Sequence, residues 1–434
     1  MIFLLFSIPL CLLYLISVPI FQVPDEVNHY VRTYGILHGN FLVPSDGYIE
    51  IPENLIPFPW YTYTPYILFK NRVMRLSTQG MIGHDAVNMA LYSPVSYILQ
   101  IPGVGLGEVI SHNTYVMVFL GSLFNLTGCT AILYYSIKYI PYGKWCILFV
   151  SLMPMAIQER ASLSVDAITY AMAVAMLAFC LSMRCGKIKM ERKKIILMYL
   201  ILFLLASCKV VYFVIGFLIL FIPWECFGSR KRSAFHKIMG SVMLMVMALG
   251  WFLIASKYLG TTRGGGSTVE KVQYMIQNPG RYLYIMDKMI WEEGEELFLQ
   301  MIGSQLGSLD IMVNHCLIIM ILILGAVILS YERSRRKNPD HWVSAVLLAL
   351  ALGNVVLIFT SLYIQWTDLA GSTYEIQGLQ GRYFLPVLPL LLCALVSRGQ
   401  HEETDEISLT KPAYALYVLN LIVIVTIFSY STYR

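Results

Sequence analysis

Pro24-Asp25-Glu26-Val27-Asn28-His29, followed by Arg32, comes at the end of a first stretch of 24 residues that holds no Asp, Glu, Lys or Arg. That stretch is long enough to cross a bilayer as a helix, so two carboxylates stand where the chain would leave the membrane. Acids beside the hydrocarbon boundary are expensive unless something uses them. A secretory leader is the competing reading, but there is no basic start and no small-residue cleavage site before Val23-Pro24. Residues 2–20 therefore read as a retained first span.

The remaining chain has the same character. Of 434 residues, 57% are hydrophobic and 13% charged, with a mean hydropathy of +0.65, which excludes a soluble enzyme of this length. Apolar runs at about 2–20, 115–137, 144–158, 166–183, 195–207, 210–223, 238–256, 314–331, 342–363, 383–397 and 412–430 predict about 11 transmembrane helices. Ser207-Cys208-Lys209 interrupts a hydrophobic run of 29 residues that is too long for one ordinary span, so the run is split there. The expected fold is an all-α integral membrane protein, one polytopic domain over 1–434.

Charge sets the expected orientation. With the N-terminus inside, the predicted cytoplasmic loops hold 18 of the 31 basic residues and 8 of the 26 acids, as the positive-inside rule requires. The clusters at Lys187–Lys194 and Arg333–Lys337 are then topology signals. The overall net charge of +5 gives no nucleic-acid footprint. Nine scattered cysteines, mostly inside apolar runs, indicate neither a disulfide framework nor a zinc site.

Two long segments, 21–114 and 257–313, fall on the outer side, and long ordered loops are usually functional. The first carries Pro52, Pro57, Pro59 and Pro65 among Trp60, Tyr61, Tyr63 and Tyr66, which reads as extended and interface-hugging. It ends in Tyr92-Ser93-Pro94 and an apolar stretch, a candidate re-entrant or interfacial helix. The second opens on Gly264-Gly265-Gly266-Ser267 and continues through a short helix bearing Trp291, Glu292, Glu293, Glu295 and Glu296. Gly303–Asp310 lacks the Lys-Ser/Thr of a phosphate-binding loop and reads equally as a substrate loop or as a turn into a helix. No internal repeat of the transporter kind is present.

After Pro24, residues 25–38 have helical spacing. Asp25, Asn28, His29 and Arg32 then share one face, offering acid, amide, imidazole and guanidinium, while Val27, Val31 and Tyr34 face lipid or protein. The plainer alternative is that the acids complement a helix dipole and Arg32 pairs with the acid behind it. Asp166, at the start of a span, sits at the same level and suffices as a helix-terminal acid. Lys209, beside Tyr212, and Arg382, beside Tyr383, are isolated cations at that depth, suited to an anionic ligand at the lipid–water boundary. His84, Asp85, His112 and His315 have no recognised metal spacing, and Asn125-Leu126-Thr127 is a sequon inside a span.

Pro24-Asp25-Glu26 with Asn28-His29 and Arg32, Tyr92-Ser93-Pro94, Ser164-Val165-Asp166, Ser207-Cys208-Lys209 with Tyr212, and Gly381-Arg382-Tyr383-Phe384-Leu385-Pro386 occur in that order. Together they resemble a bacterial family of predicted polytopic membrane proteins of unknown function. That family is similar in plan to the GT-C glycosyltransferases, such as protein O-mannosyltransferases and the aminoarabinose transferase of lipid A. The resemblance covers roughly residues 1–400, and the chain departs from it in lacking a proline after Lys209.

What the resemblance implies is a GT-C-like transferase that moves a sugar from a polyprenyl-phosphate donor to a cell-envelope acceptor at the outer face of the cytoplasmic membrane. Asp25, with Glu26 adjacent, would be the catalytic base. Arg382, Lys209, Arg32 and His29 would bind the donor phosphate, and Asn28, Asp166, Tyr92, Tyr212 and Tyr383 the substrates. A divalent cation is an optional cofactor, with Asp25, Glu26 and Asp166 as ligands should they converge. The competing functions are a lipid-linked-oligosaccharide flippase, which would need charges along a pathway through the midplane, and a polysaccharide polymerase or ligase.

Overall fold

A computed structural model of the chain describes residues 1–56, 76, 80–257, 267–366, 376–399 and 409–433. Pro57, Pro59, Trp60, Tyr61, Tyr63, Pro65, Tyr66 and Gly264-Gly265-Gly266 lie outside the described residues. Helices α1 (Ile2–Ser17) and α2 (Glu26–Leu37) flank the acidic turn; α3 (Ile101–Ser111) and α4 (Thr114–Tyr139) close the first long segment. Then come α5 (Lys144–Ser151), α6 (Pro154–Arg160), α7 (Val165–Gly186) and α8 (Arg192–Cys208), the last leading into a 3-10 helix, Val210–Phe221. The chain continues through α9 (Arg230–Ser256), α10 (Thr268–Gln277), α11 (Pro279–Ile302), α12 (His315–Ser334), α13 (His341–Trp366), a 3-10 turn at Gly381–Phe384, α14 (Leu388–Ser397) and α15 (Thr410–Tyr433).

Two small two-stranded sheets, the second a hairpin, qualify the all-α expectation. Strand β1 (Tyr48–Pro52) pairs antiparallel with β2 (Met81–Asp85), Tyr48 opposite Asp85, and β3 (Gln305–Leu306) pairs with β4 (Ile311–Met312). In Gly303–Asp310, Gly303 caps α11, Gln305–Leu306 is β3, and Gly307 and Leu309, both at positive φ, turn the chain into β4, which precedes α12. The helix bearing Trp291 is also longer than expected, 24 residues.

Six helices among the described residues are long and apolar enough to cross a membrane: α4, α7, α9, α12, α13 and Thr410–Ser431 of α15. The other apolar helices, α1, α3, Val210–Phe221 and α14, are shorter. Two of the apolar runs are broken by proline. The run at 144–158 divides into α5 and α6 at Pro154, and Pro386 and Pro389 hold the start of the run at 383–397 out of α14. The 29-residue run divides at Lys209, where the backbone is extended at φ −144° and ψ 117°.

Helix α7 is the centre of the bundle, 94% of its apolar window being buried. Ala167, Ala171, Ala173, Ala175 and Ala178 give it a slim surface, and small residues let helices approach closely where hydrophobicity alone gives no preference for protein over lipid. It packs against α4, α8 and Val210–Phe221. Asn125 of the sequon serves this packing: its side-chain amide donates to Ser162 O (2.8 Å) and Ser164 O (3.1 Å), tying α4 to the turn before α7. Val31 and Tyr34 of α2 face protein, in a separate cluster with Ile49 and Ile51.

The break between α5 and α6 is bridged by Arg160, which is fully buried. Its guanidinium donates to Ser7 Oγ (2.8 Å), Thr130 Oγ1 (3.3 Å), Ala156 O (3.1 Å) and Ser151 O. The Ser151 carbonyl belongs to the last turn of α5, where carbonyls lack helical donors. Arg160→Met should therefore destabilise the folded protein by about 1.5–3 kcal/mol, the range for hydrogen bonds to a charged group. Thermal melting in detergent checks this, and Arg160→Lys should recover only part of the loss, because an ammonium lacks the planar fork.

The connecting segments gather at two ends of the bundle. At one, Glu332 accepts from the Gly143 and Trp145 amides (3.0 and 2.8 Å), Arg184 pairs with Asp340 (3.0 Å), and the Met190 amide donates to Cys226 O (2.7 Å). All of these stand in or beside segments that the charge pattern groups on one side. At the other end are Asp25, Asp166, Lys209 and Arg382.

Candidate functional site

The turn after α1 passes through Phe21 and Asp25, both at positive φ (63° and 65°), a conformation that is uncommon for residues other than glycine. Asp25 is the N-cap of α2 but makes no side-chain cap bond. Its carboxylate reaches Arg382 instead, Oδ2 lying 2.5 Å from Nη2, while Pro24 O accepts from Nη1 at 3.0 Å. One guanidinium thus holds both Pro24 and Asp25.

Arg382 is buried, and its other atoms face two further acids: Nε is 3.6 Å from Asp166 Oδ2 and Nη1 is 3.8 Å from Glu159 Oε1. Lys209 completes the group, its Nζ 2.9 Å from Asp166 Oδ1 and 4.1 Å from the centre of the Tyr383 ring, with Tyr92 on another side. Tyr212 Oη donates to Tyr383 O at 2.6 Å, pinning the 3-10 turn to Val210–Phe221. Ser93 and Ser96 donate to the Ser207 and Cys208 carbonyls (2.6 and 2.7 Å), which caps α8 and frees Lys209 to run extended.

The Arg382 turn is seated on α11. A Cβ added at Gly381 would lie 2.3 Å from Leu297 O and 2.4 Å from the Met301 nitrogen, and the Gly381 amide donates to Gln300 Oε1 at 3.1 Å. Backbone atoms cannot yield to a methyl group as a side chain can. Gly381→Ala should displace Arg382, lowering the melting temperature by the equivalent of about 1–3 kcal/mol; a melting curve identical to wild type would contradict this seating.

Beside this cluster opens a cavity of about 360 Å³. Asp25, Asn28, Tyr92, Lys209, Tyr212 and Tyr383 line its charged end. The rest of the lining, from Val210, Val211, Phe213, α9 and α13, is mainly apolar, including Phe252, Leu357 and Ile364. Asn88, Thr360 and Gln365 add uncharged polar groups. A space with a charged end and hydrocarbon walls suits an amphipathic ligand.

Sequence and structure differ over three residues expected in this site. Glu26 turns away from Asp25 and accepts the Leu163 amide at 3.2 Å. Arg32 is buried and donates to Asn40 O and Phe41 O (2.6 and 2.7 Å), satisfying the chain just after α2. His29 is buried with its Nδ1 3.1 Å from Tyr97 Oη. Among the described residues, none of the three lines the cavity, and neither do Asp166 and Arg382, which stand behind Asp25 and Lys209. Of the expected helical face, Asn28 lines the cavity, its Oδ1 3.3 Å from His84 Nε2.

Burial raises the pKa of Asp25, but the Arg382 charge and the Arg382 hydrogen bond outweigh it, leaving the carboxyl below its usual range and ionised near neutrality. Burial lowers His29 to about 4, so the imidazole is neutral. Burial raises Glu26 from 4.5 to about 7, against the opposing bond from Leu163. The folded state therefore holds an extra proton on Glu26 between those two values. The contribution of this group to stability falls as pH rises from about 4.5 to 7 and is level on either side. Glu26→Gln should remove that slope from a series of melting curves across the window.

A family model described as "Predicted membrane protein (DUF2142)" matches residues 9–391. The chain belongs to the DUF2142 family. The DUF2142 match begins inside α1 and ends inside α14, so it takes in Asp25, Glu159, Asp166, Lys209 and Arg382. Among curated proteins and solved structures, nothing matches.

Within the DUF2142 stretch, Glu159 is the site residue that sequence reasoning left out. Both its oxygens are buried without a hydrogen-bond partner within bonding distance, and burial, opposed by the charge of Arg382, raises its pKa from 4.5 to about 7. A signal was available, since Glu159-Arg160 follows directly on an apolar run. Asp25 and Asp166 do converge, yet the cation between them is the Arg382 guanidinium, with Glu159 in the place expected for Glu26. Among the described residues no group of three or more His, Cys, Asp or Glu side chains suits a metal ion.

Proposed function

We propose that this DUF2142 protein is a membrane glycosyltransferase of GT-C-like architecture, with eleven crossings, an inside N-terminus and its site at the outer face of the cytoplasmic membrane. It moves a sugar from a polyprenyl-phosphate donor to a cell-envelope glycan, glycolipid or protein. The observation that carries this reading is the cavity, where an ionised carboxylate and an ammonium group meet hydrocarbon walls. A lipid phosphate with an attached sugar has the same distribution of properties.

In this reaction the acceptor hydroxyl oxygen attacks the anomeric carbon and forms the new glycosidic bond with inversion. The bond from that carbon to the phosphate oxygen breaks, and the electron pair leaves with the polyprenyl phosphate. Asp25 takes the hydroxyl proton. Lys209, on the cavity wall, meets the departing phosphate. Arg382 acts one step back, as a positioning residue that fixes Asp25 and keeps it ionised.

The eleven crossings follow if the shorter or broken apolar segments cross along with the six long helices. The 12-residue 3-10 helix supports this, since at about 2.0 Å per residue it extends roughly 24 Å.

The test is incubation of purified protein in lipid with radiolabelled polyprenyl-phosphate sugars and an acceptor extract, comparing wild type with Asp25→Asn. Release or transfer of label that depends on Asp25 supports the reading. Folded protein that turns over no donor overturns it. Product size separates transfer of a single sugar from that of a polymer, the result a polymerase or ligase would give.

A further inference from the structure

The cavity beside Asp25 holds hydrogen-bonding capacity that the protein does not use. Its two aliphatic hydroxyls are spent: Thr360 Oγ1 donates to Val356 O (2.7 Å) and meets Tyr282 Oη (2.6 Å), and Ser361 Oγ donates to Ile358 O (2.9 Å). Its amides are not. Asn28 commits one end only, Oδ1 at 3.3 Å from His84 Nε2, and with that nitrogen donating, both N–H groups of Nδ2 are left over. Among the described residues, the side chains of Asn88 and Gln365 have no hydrogen-bond partner.

Two of these amides are carried to the Asp25 end by braced segments. Asn28 follows Asp25 by about one helical turn, the His29 amide donating to Asp25 O at 2.9 Å. His84 and Asn88 stand on either side of the turn that ends β2. There the Asp85 carboxylate accepts from the Val87 amide (3.0 Å), the Ala86 amide donates to Gly47 O (2.9 Å), and the chain enters a 3-10 helix, Val87–Leu91. At the far end of that helix Leu91 O accepts from Trp251 Nε1 of α9 at 3.1 Å. The strand is fixed to α2 as well, since Ile49, opposite His84, is buried in one cluster with Val31 and Tyr34.

A sugar brings hydroxyls, each both donor and acceptor, and a hydroxyl buried without partners costs free energy. Amide groups can meet both needs, and the hydrocarbon walls meet neither. Lys209 is the one cation among the described residues of the lining, and it faces the phosphate. A carboxylate on the sugar would therefore lack a partner of its own and stand near the ionised Asp25. We propose, on the reading of the cavity as a polyprenyl-phosphate-sugar site, that Asn28 and Asn88 form the subsite for the hydroxyl groups of an uncharged donor sugar, with His84 as the positioning residue that orients the Asn28 amide.

The test compares binding of farnesyl phosphate with that of farnesyl phosphates carrying glucose, mannose, galactose, N-acetylglucosamine or glucuronic acid, using purified protein in detergent without acceptor. The tightest of the sugar-bearing lipids should carry an uncharged sugar. Asn88→Ala should weaken that lipid by about 2–10-fold, as the loss of one neutral hydrogen bond does. The same variant should hold farnesyl phosphate as wild type does, which also shows it to be folded. His84→Phe should weaken the sugar-bearing lipid while Asn28 is present and add nothing once Asn28→Ala has been made, because it acts through that amide. Tightest binding of the glucuronate, or equal losses for bare and sugar-bearing lipid in both variants, would overturn the proposal. Additive losses from His84→Phe and Asn28→Ala would overturn the positioning role. If release of label still depends on Asp25 in those cases, glycosyl transfer stands and the sugar is held elsewhere; if folded wild type binds none of these lipids, both readings fall.

Discussion

Asp25→Asn, folded and in lipid, should lose roughly 10²–10⁴-fold in kcat with little change in KM. The carboxamide keeps the size of the side chain and can still accept a bond from Arg382, so the turn before α2 should survive. What it loses is the proton acceptor. Lys209, on the same cavity wall, is untouched, so donor affinity should remain. The wild-type rate should also resist acid unusually well. A base that Arg382 holds below the usual carboxylate range loses its function only as pH falls through that lowered value. A rate–pH profile with an acid limb near neutrality would oppose Asp25 as the base.

Arg382→Met should be the most damaging single change to the fold. It removes the guanidinium on which Asp25, Glu159 and Asp166 converge, leaving Lys209 beside one of them. Taking one partner from a buried ion pair costs about 3–5 kcal/mol, because the remaining charge stays buried and uncompensated. The variant should yield little monodisperse protein, and what survives should melt early. Adding Asp25→Asn should recover part of the loss, since it withdraws a carboxylate that is ionised and has lost its Arg382 partner. Arg382→Lys should fall between, because an ammonium keeps the charge but cannot present donors in one plane to three acceptors. A double variant no more stable than Arg382→Met would argue against electrostatic compensation as the reason for the cluster.

The sequence made some of this legible because its signals were local. A run without charges ending in Asp25-Glu26 marks the turn at the bundle end, and a 29-residue apolar run broken by Lys209 marks two segments and not one. The i, i+3, i+4, i+7 argument for one functional face on α2 did not carry through. Arg32 found carbonyls at Asn40 and Phe41, and His29 found Tyr97; spacing says which side chains are neighbours on a helix but not what the neighbouring elements offer them. Adjacent acids also divided between two tasks, Asp25 toward Arg382 and Glu26 toward the Leu163 amide. The meeting of Asp25, Glu159, Asp166 and Arg382 joins residues up to 357 positions apart. No periodicity encodes such a meeting, and it needs the packed bundle.

The 3-10 winding of Val210–Phe221 gives that segment a spare length. Twelve residues rise about 24 Å as a 3-10 helix and about 18 Å as an α-helix. Rewinding would shorten the segment by about 6 Å, roughly twice the length of the Lys209–Asp166 ion pair. The segment is anchored near its upper end by Tyr212 on Tyr383 and contributes to the cavity wall. With the Lys209 end fixed to Tyr383 and to Asp166, a change of winding would be taken up at the Phe221 end, leaving the ammonium group and the carboxylates around Arg382 in their places.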